Sequence, residues 1–147
     1  MGELMTATHN FGTAPVRASG ATDTFKAALY LTTATVDAST TAYSATNEVS
    51  GSGYTAGGVA VTFGTPPTAT NASATAGVAF VTPSASITYT TVTLATAFDA
   101  VLIYNSTQSD KAVSVHTFGS QTVTAGTFTL TMPANTTSTA LLRLATT

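Results

Sequence analysis

Short segments in which apolar and polar residues alternate recur along this chain, and they restrict its fold more than any other feature. Between Phe25 and Leu31, Phe25, Ala27 and Leu29 fall on one face and the intervening residues on the other. A period of two residues is typical of a β-strand, whose successive side chains point to opposite faces. The pattern predicts eight short strands, at residues 25–31, 59–63, 78–82, 86–94, 100–104, 112–118, 127–132 and 140–144.

The polar residues of these segments are mostly threonine, and charged residues are rare. Only 7% of the 147 residues are charged, against about 25% in an ordinary soluble domain. Threonine suits a strand because its branched Cβ fits the pleated surface while its hydroxyl stays solvated. Short antiparallel strands at this spacing predict a single all-β domain, folded as a β-sandwich or jelly roll.

This β-sandwich domain is expected to occupy residues 25–147, preceded by an N-terminal arm at residues 1–24. The arm shows no clear strand periodicity, and its residues 3–9 are a candidate for a short helix. The glycine-rich residues 47–58 predict an ordered loop, because glycine permits positive φ and close backbone approach. Residues 64–77, which contain two consecutive prolines, predict an exposed loop or a hairpin excursion.

One predicted strand contains an irregularity of its own. In residues 86–94 the alternation slips by one residue at Thr90 and Thr91. A slip of this kind predicts a β-bulge or a bend at that point.

Several classes of protein are excluded by what the sequence lacks. There is no cysteine, which excludes disulfide scaffolds, cysteine-bound metals and thiol nucleophiles. A net charge of −2 supplies no basic stripe for phosphates, so we expect no nucleic acid partner. No window approaches 18 apolar residues and the N-terminus does not resemble a signal peptide, so we expect no membrane partner.

Candidate catalytic groups are few and scattered. His116 is predicted to share a strand face with Ser114 and Phe118, while Val113, Val115 and Thr117 point the other way. A lone histidine is a weak sign of catalysis, so we interpret His116 as a polar-face or interface residue. The six acidic residues occur singly, and Asp110 follows a turn-forming run. We therefore predict a protein that is not an enzyme and has no catalytic residues, cofactor or metal site.

The five tyrosines are the remaining candidates for a binding surface, because they could form a platform on which sugars stack. Most of the aromatic residues fall at alternating strand positions, which favours packing in the core instead. The tyrosines are Tyr30, Tyr43, Tyr54, Tyr89 and Tyr104.

Three segments resemble a family of small virion proteins of tailed bacteriophages. The most specific is NEVSGSGYTAGG at residues 47–58, which follows DTFKAALY at residues 23–30 and TTAYSAT at residues 40–46. The second is AVLIYNS at residues 100–106, followed by Lys111-Ala112-Val113 and the Phe118-Gly119 step. The third is His9-Asn10-Phe11, which is similar to the start of the family. Residues 64–94 depart from the family pattern.

The resemblance implies a structural component of the phage particle, made in the host cytoplasm and located on the capsid exterior as a decoration or cement protein. Its expected partners are the major capsid protein and further copies of itself, in a homotrimer. A low charge with many threonine and alanine residues suits close packing between copies. The alternative is a tail- or fibre-associated module that contacts host glycans. In either case we expect partner contacts in the arm, at His9, Asn10, Phe11 and Arg17.

Overall fold

The computed structural model describes residues 22–70 and 77–145, and these residues form strands and loops but no helix. Two antiparallel sheets are present, with four strands in the order β2-β1-β5-β6 and three in the order β3-β4-β7. The all-β prediction is therefore confirmed. The strands are β1 (Phe25–Leu31), β2 (Val59–Val61), β3 (Thr68–Thr70), β4 (Val78–Val81), β5 (Ile87–Asn105), β6 (Lys111–Leu130) and β7 (Leu142–Ala145).

The main hydrophobic core lies on one face of the four-stranded sheet and is shared by both sheets. It combines Leu29 and Phe98 of the large sheet with Val81 and Leu142 of the small one. A smaller cluster, which includes Tyr30 and the residues around it, lies on the opposite face. Strand β1 is therefore buried on both faces along most of its length, which explains its nearly continuous run of apolar residues.

The prediction of eight short strands is wrong for the central hairpin. Strand β5 has 19 residues and β6 has 20, and each combines two of the predicted strands. The pairing of β5 with β6 shifts register at five points, where extra residues are inserted in one strand or the other. Such bulges bend a strand without ending its pairing, and each one breaks the two-residue period. The breaks in alternation were therefore interpreted as strand ends, although β5 and β6 continue through them.

The irregularity predicted at Thr90 and Thr91 is confirmed. Tyr89 pairs with Phe128 and Val92 with Gly126, so β5 carries one extra residue in this interval. Thr91 takes up the insertion with a φ of 54°. A non-glycine residue therefore occupies the left-handed region at this bulge.

The described part of the segment at residues 64–77 contributes to a hairpin, one of the two structures predicted for it. Its residues 68–70 form β3, which pairs with β4. The predicted arm lies mainly at residues 1–21, outside the described residues, as does the helix proposed at residues 3–9. Residues 22–24 lead directly into β1.

The described chain begins at the turn between β5 and β6. Asp23 is buried and accepts a 2.7 Å hydrogen bond from Nδ2 of Asn105, the last residue of β5. The backbone N–H of Ser106 donates to the carbonyl of Thr24. The turn itself contains Asp110 at a φ of 56°, so this residue has the turn role expected from its sequence context.

Candidate functional site

The carboxylate of Glu48 accepts three hydrogen bonds and is the centre of a polar cluster. Its Oε2 accepts a 2.6 Å hydrogen bond from the hydroxyl of Tyr43. Its Oε1 accepts two bonds of 2.7 Å, from the hydroxyl of Tyr54 and from the backbone N–H of Gly57. We call these four residues the Glu48 cluster. Hydrogen bonds to a charged acceptor are stronger than neutral ones, so the cluster fixes the loop at residues 47–58.

The backbone on either side of Glu48 is attached to the end of β1. Leu31 N–H donates to the carbonyl of Asn47 at 3.0 Å, and Val49 N–H donates to the carbonyl of Leu29 at 2.9 Å. Asn47 adopts a φ of 59°, a conformation that asparagine tolerates better than most residues. The short chain reversal turns the Glu48 side chain toward the tyrosines.

Two glycines allow the rest of this loop to approach the sheet closely. A Cβ atom at Gly58 would lie 1.6 Å from the carbonyl oxygen of Ala27, and one at Gly53 would lie 2.2 Å from that of Thr91. Both glycines have positive φ, at 75° and 78°. The prediction of an ordered loop is confirmed, and close backbone contact is its physical cause.

The five tyrosines bond and stack within the domain and do not form an exposed platform. Tyr30, Tyr89 and Tyr104 are at most 2% exposed. Their hydroxyls donate to the backbone carbonyls of Ser44, Ala27 and Gly57, respectively. The ring of Tyr43 stacks on that of Tyr104 at 4.7 Å, and the ring of Tyr54 stacks on that of Tyr89 at 5.9 Å. The interpretation as core residues is confirmed for Tyr30, Tyr89 and Tyr104, whereas Tyr43 and Tyr54 are half-buried loop residues that pack against the core.

Burial determines the acid–base character of these phenols. Desolvation raises the pKa of Tyr104 to about 12, with the charge of Asp110 adding to the shift. It also raises the pKa of Tyr54 and of Tyr43, and the hydrogen bond to Glu48 adds to the shift in both cases. These phenols are therefore protonated at neutral pH and serve as hydrogen-bond donors.

A groove of about 530 Å³ lies along the first part of β6. Residues 112–117 of β6 form its floor, residues from the 36–40 loop form one wall, and residues 141–143 form the other. We call this cavity the β6 groove. The walls carry Asp37 and Arg143, whereas the floor has no formally charged side chain.

His116 lies in the floor of the β6 groove beside Ser114, with 2.9 Å between Nε2 and the serine Oγ. Burial lowers the pKa of His116 below its ordinary value, so its neutral form dominates at pH 7. Ser114 and His116 pair with Ile103 and Val101, and Phe118 packs against the core on that same face. This part of the prediction is correct.

The predicted placement of Val113 is wrong. Val113 is buried in the main core, on the side that Ser114 and His116 also face. It is the extra residue where the β5–β6 register shifts between Ile103 and Tyr104. A bulge places two successive residues opposite one partner, so simple alternation fails there.

The predicted contact residues His9, Asn10, Phe11 and Arg17 all lie outside the described residues, so the structure brings none of them together. Within residues 22–70 and 77–145, no group of three histidine, aspartate or glutamate residues could hold a metal ion. The same residues contain no helix long and apolar enough to cross a membrane.

Comparisons with protein-family models, with curated proteins and with solved structures find no match to this chain. The Glu48 cluster and the β6 groove are therefore described from their own geometry. Sequence reasoning did not identify the cluster, because it treated Glu48 only as one of six isolated acids. The available signal was the position of Glu48 between Tyr43 and Tyr54 in a loop rich in glycine.

Proposed function

We propose that this protein is a structural component of a tailed-bacteriophage particle, located on the capsid exterior as a decoration or cement protein. Its two sheets would form the layers of a β-sandwich of jelly-roll type, because they share one hydrophobic core. Its partners would be the major capsid protein and further copies of itself in a homotrimer. The arm residues His9, Asn10, Phe11 and Arg17 would contribute to these contacts.

The observation that carries this proposal is the outer surface of β6, which has no charged side chain beyond Lys111. Between Lys111 and Arg143 the sequence contains no charged residue. Five threonines of β6 in this stretch are exposed: Thr117, Thr122, Thr124, Thr127 and Thr129. Hydroxyl and methyl groups can be buried against a partner without the desolvation penalty of unpaired charges. A surface of this kind favours a protein that works through extended contacts.

The attachment of loops to the sheets also supports a structural role. The Glu48 cluster fixes residues 47–58, and Asp23 with Asn105 fixes the start of the domain against the β5–β6 turn. A subunit that holds neighbouring capsid proteins together must keep its conformation when the capsid is under internal pressure. Many modest contacts repeated around a particle then add up to a large stabilisation.

The alternative, a tail or fibre module that binds host glycans, loses three of its five tyrosine candidates because Tyr30, Tyr89 and Tyr104 are too buried to stack on a sugar. Quantitative mass spectrometry of purified particles separates the two functions. Hundreds of copies per particle are expected for a capsid protein, whereas a tail protein would be present in a few to some tens of copies.

A deletion phage provides the functional test. Particles that lack this protein should assemble but release DNA at a lower temperature or after osmotic shock, because bound cement subunits stabilise the assembled lattice. Particles with unchanged heat resistance would contradict the cement role.

A further inference from the structure

The outer edge of β6 at residues 113–117 is an open edge of the large sheet. Strand β6 is last in the order β2-β1-β5-β6, and among the described residues only β5 pairs with it along this stretch. An open edge presents backbone N–H and C=O groups in the spacing that another extended segment requires. Here that edge is the floor of the β6 groove, so it lies recessed between two walls.

The backbone groups that point into the groove can be identified from the ladder. Ala112 donates its N–H to the carbonyl of Thr41 at 2.9 Å, on the side away from β5. Ala112, Val115 and Thr117 pair with Tyr104, Leu102 and Ala100, which are spaced two residues apart along β5. The N–H and C=O groups of Val115 and Thr117 therefore also point away from β5, into the β6 groove.

The groove selects an uncharged occupant. Both charges in its walls are engaged within the protein: the Asp37 carboxylate accepts hydrogen bonds from Ser39, and the Arg143 guanidinium donates to the carbonyls of Thr137 and Ser138. The nearby edge of β7 also carries Leu144, a large hydrophobic residue that is 49% exposed. An extended segment with small, apolar and hydroxyl side chains fits these surroundings.

We propose that the β6 groove receives the N-terminal segment, residues 1–21, of a second copy of this chain, which adds as a strand to the edge of β6. Between Glu3 and Arg17 this segment contains no charged residue, which matches the neutral floor. Extended at about 3.3 Å per residue, it is long enough to reach a neighbouring molecule. The inference rests on the self-association in the proposed function and not on the capsid location.

The position of the chain start favours a second copy over the same molecule. The described chain begins beside the β5–β6 turn, where Thr24 contacts Ser106. Residues 41–43 lie between this point and the groove, because Ala42 bridges to Lys111 and Tyr43 N–H donates to the carbonyl of Asp110. The N-terminal segment of a neighbouring copy can instead enter the groove from the end that lies away from residues 41–43. A head-to-tail contact of this kind closes into a ring when the rotation between copies allows it.

The test uses the full-length chain with a proline at the edge. Thr117→Pro removes an N–H that points into the groove and leaves the bonds to β5 in place, since proline is tolerated where a strand N–H faces outward. Thr117→Ala is the matched control. Light scattering after size exclusion should show that the wild type and Thr117→Ala self-associate, whereas Thr117→Pro is monomeric with an unchanged circular dichroism spectrum.

A synthetic peptide with the sequence of residues 1–21 identifies the occupant. In excess it should dissociate the wild-type oligomer, and a scrambled peptide should not. A monomeric wild type, or a Thr117→Pro variant that associates like Thr117→Ala, would overturn the proposal. Dissociation by Thr117→Pro without competition from the peptide would show that some other segment or edge fills the groove. If Thr117→Pro does not fold, the peptide competition decides alone. The particle experiments test the capsid role separately.

Discussion

The hydroxyl of Tyr54 donates a 2.7 Å hydrogen bond to Glu48 Oε1 and accepts a 3.0 Å bond from the backbone N–H of Leu29. A single phenol thus joins the loop carboxylate to the central part of β1. The Tyr54 ring also stacks on Tyr89, whose hydroxyl donates to the carbonyl of Ala27. The loop at residues 47–58 is consequently held against the folded core, although most of its residues are exposed, so its substitutions can be followed by stability measurements.

Replacing Glu48 should destabilise the domain more than removing any one of its donors. Glu48→Ala leaves the Tyr54 hydroxyl and the Gly57 N–H without their acceptor, and we expect a loss of about 2–4 kcal/mol in the free energy of unfolding. Tyr43→Phe removes one bond from a half-buried position and should reduce that free energy by about 1 kcal/mol. Urea unfolding followed by circular dichroism measures both. Equal effects of the two substitutions would contradict the central role of the carboxylate.

Valine substitutions should destabilise the protein far more at the loop glycines Gly53 and Gly58 than at Gly119, which lies at an open position in β6. Gly58→Val and Gly53→Val each combine a positive φ with a Cβ atom placed against a backbone carbonyl. We expect losses of about 3 kcal/mol or more, since both backbone strain and a steric clash result. Gly119→Val is the matched control, because a Cβ there meets no atom within 4 Å and β6 tolerates a branched side chain. Thermal unfolding of all three variants should show a large decrease in Tm only for the loop positions.

Strand bounds could be predicted from the sequence where the two-residue alternation of apolar and polar residues was uninterrupted. They could not be predicted where a β-bulge broke that alternation. Strand β1 has the predicted bounds of residues 25–31, because its alternation is uninterrupted. Strands β5 and β6 were each divided in two, since a bulge and a strand end produce the same break in the pattern. Strand β3 was not predicted separately, because its three residues are all exposed and show no hydrophobic alternation.

The Glu48 cluster shows a different limit of sequence reasoning. Its members lie at positions 43, 48, 54 and 57, a spacing that follows no helical or strand period. They meet because Asn47 reverses the chain and Gly58 lets the backbone contact β1. Loop geometry of this kind is determined by tertiary contacts, which a single sequence does not display.

The bulge at Thr91 offers a substitution that should stabilise the protein. A β-branched residue is unfavourable at a φ of 54°, whereas asparagine tolerates the left-handed region. Thr91→Asn should therefore raise the free energy of unfolding by about 1 kcal/mol. Thr90→Asn is the control, because Thr90 is also exposed but lies outside the left-handed region, and its effect should stay within about 0.5 kcal/mol of zero. A stabilisation of similar size at both positions would show that the bulge is not its cause.

Because the pKa values of the five tyrosines are raised in the folded protein, we expect a loss of stability at alkaline pH. Burial raises the pKa of all five above the value of about 10 for an exposed tyrosine. The unfolded chain therefore releases these protons more easily than the folded one. The stability contributed by the protonated phenols is complete below about pH 10 and is lost as the pH rises further, through the folded-state pKa of about 12 for Tyr104.

Absorbance at 295 nm can follow this process directly, because the chain contains no tryptophan. The folded protein should show little tyrosinate between pH 10 and 11, and the signal should then rise together with the loss of β-sheet circular dichroism. Tyr43→Phe, which removes the phenol that bonds Glu48 Oε2, should leave the coincidence of the two signals intact. Tyrosinate that forms near pH 10 while the circular dichroism is unchanged would show that the phenols are accessible to solvent, contrary to the hydrogen-bonded and stacked arrangement described above.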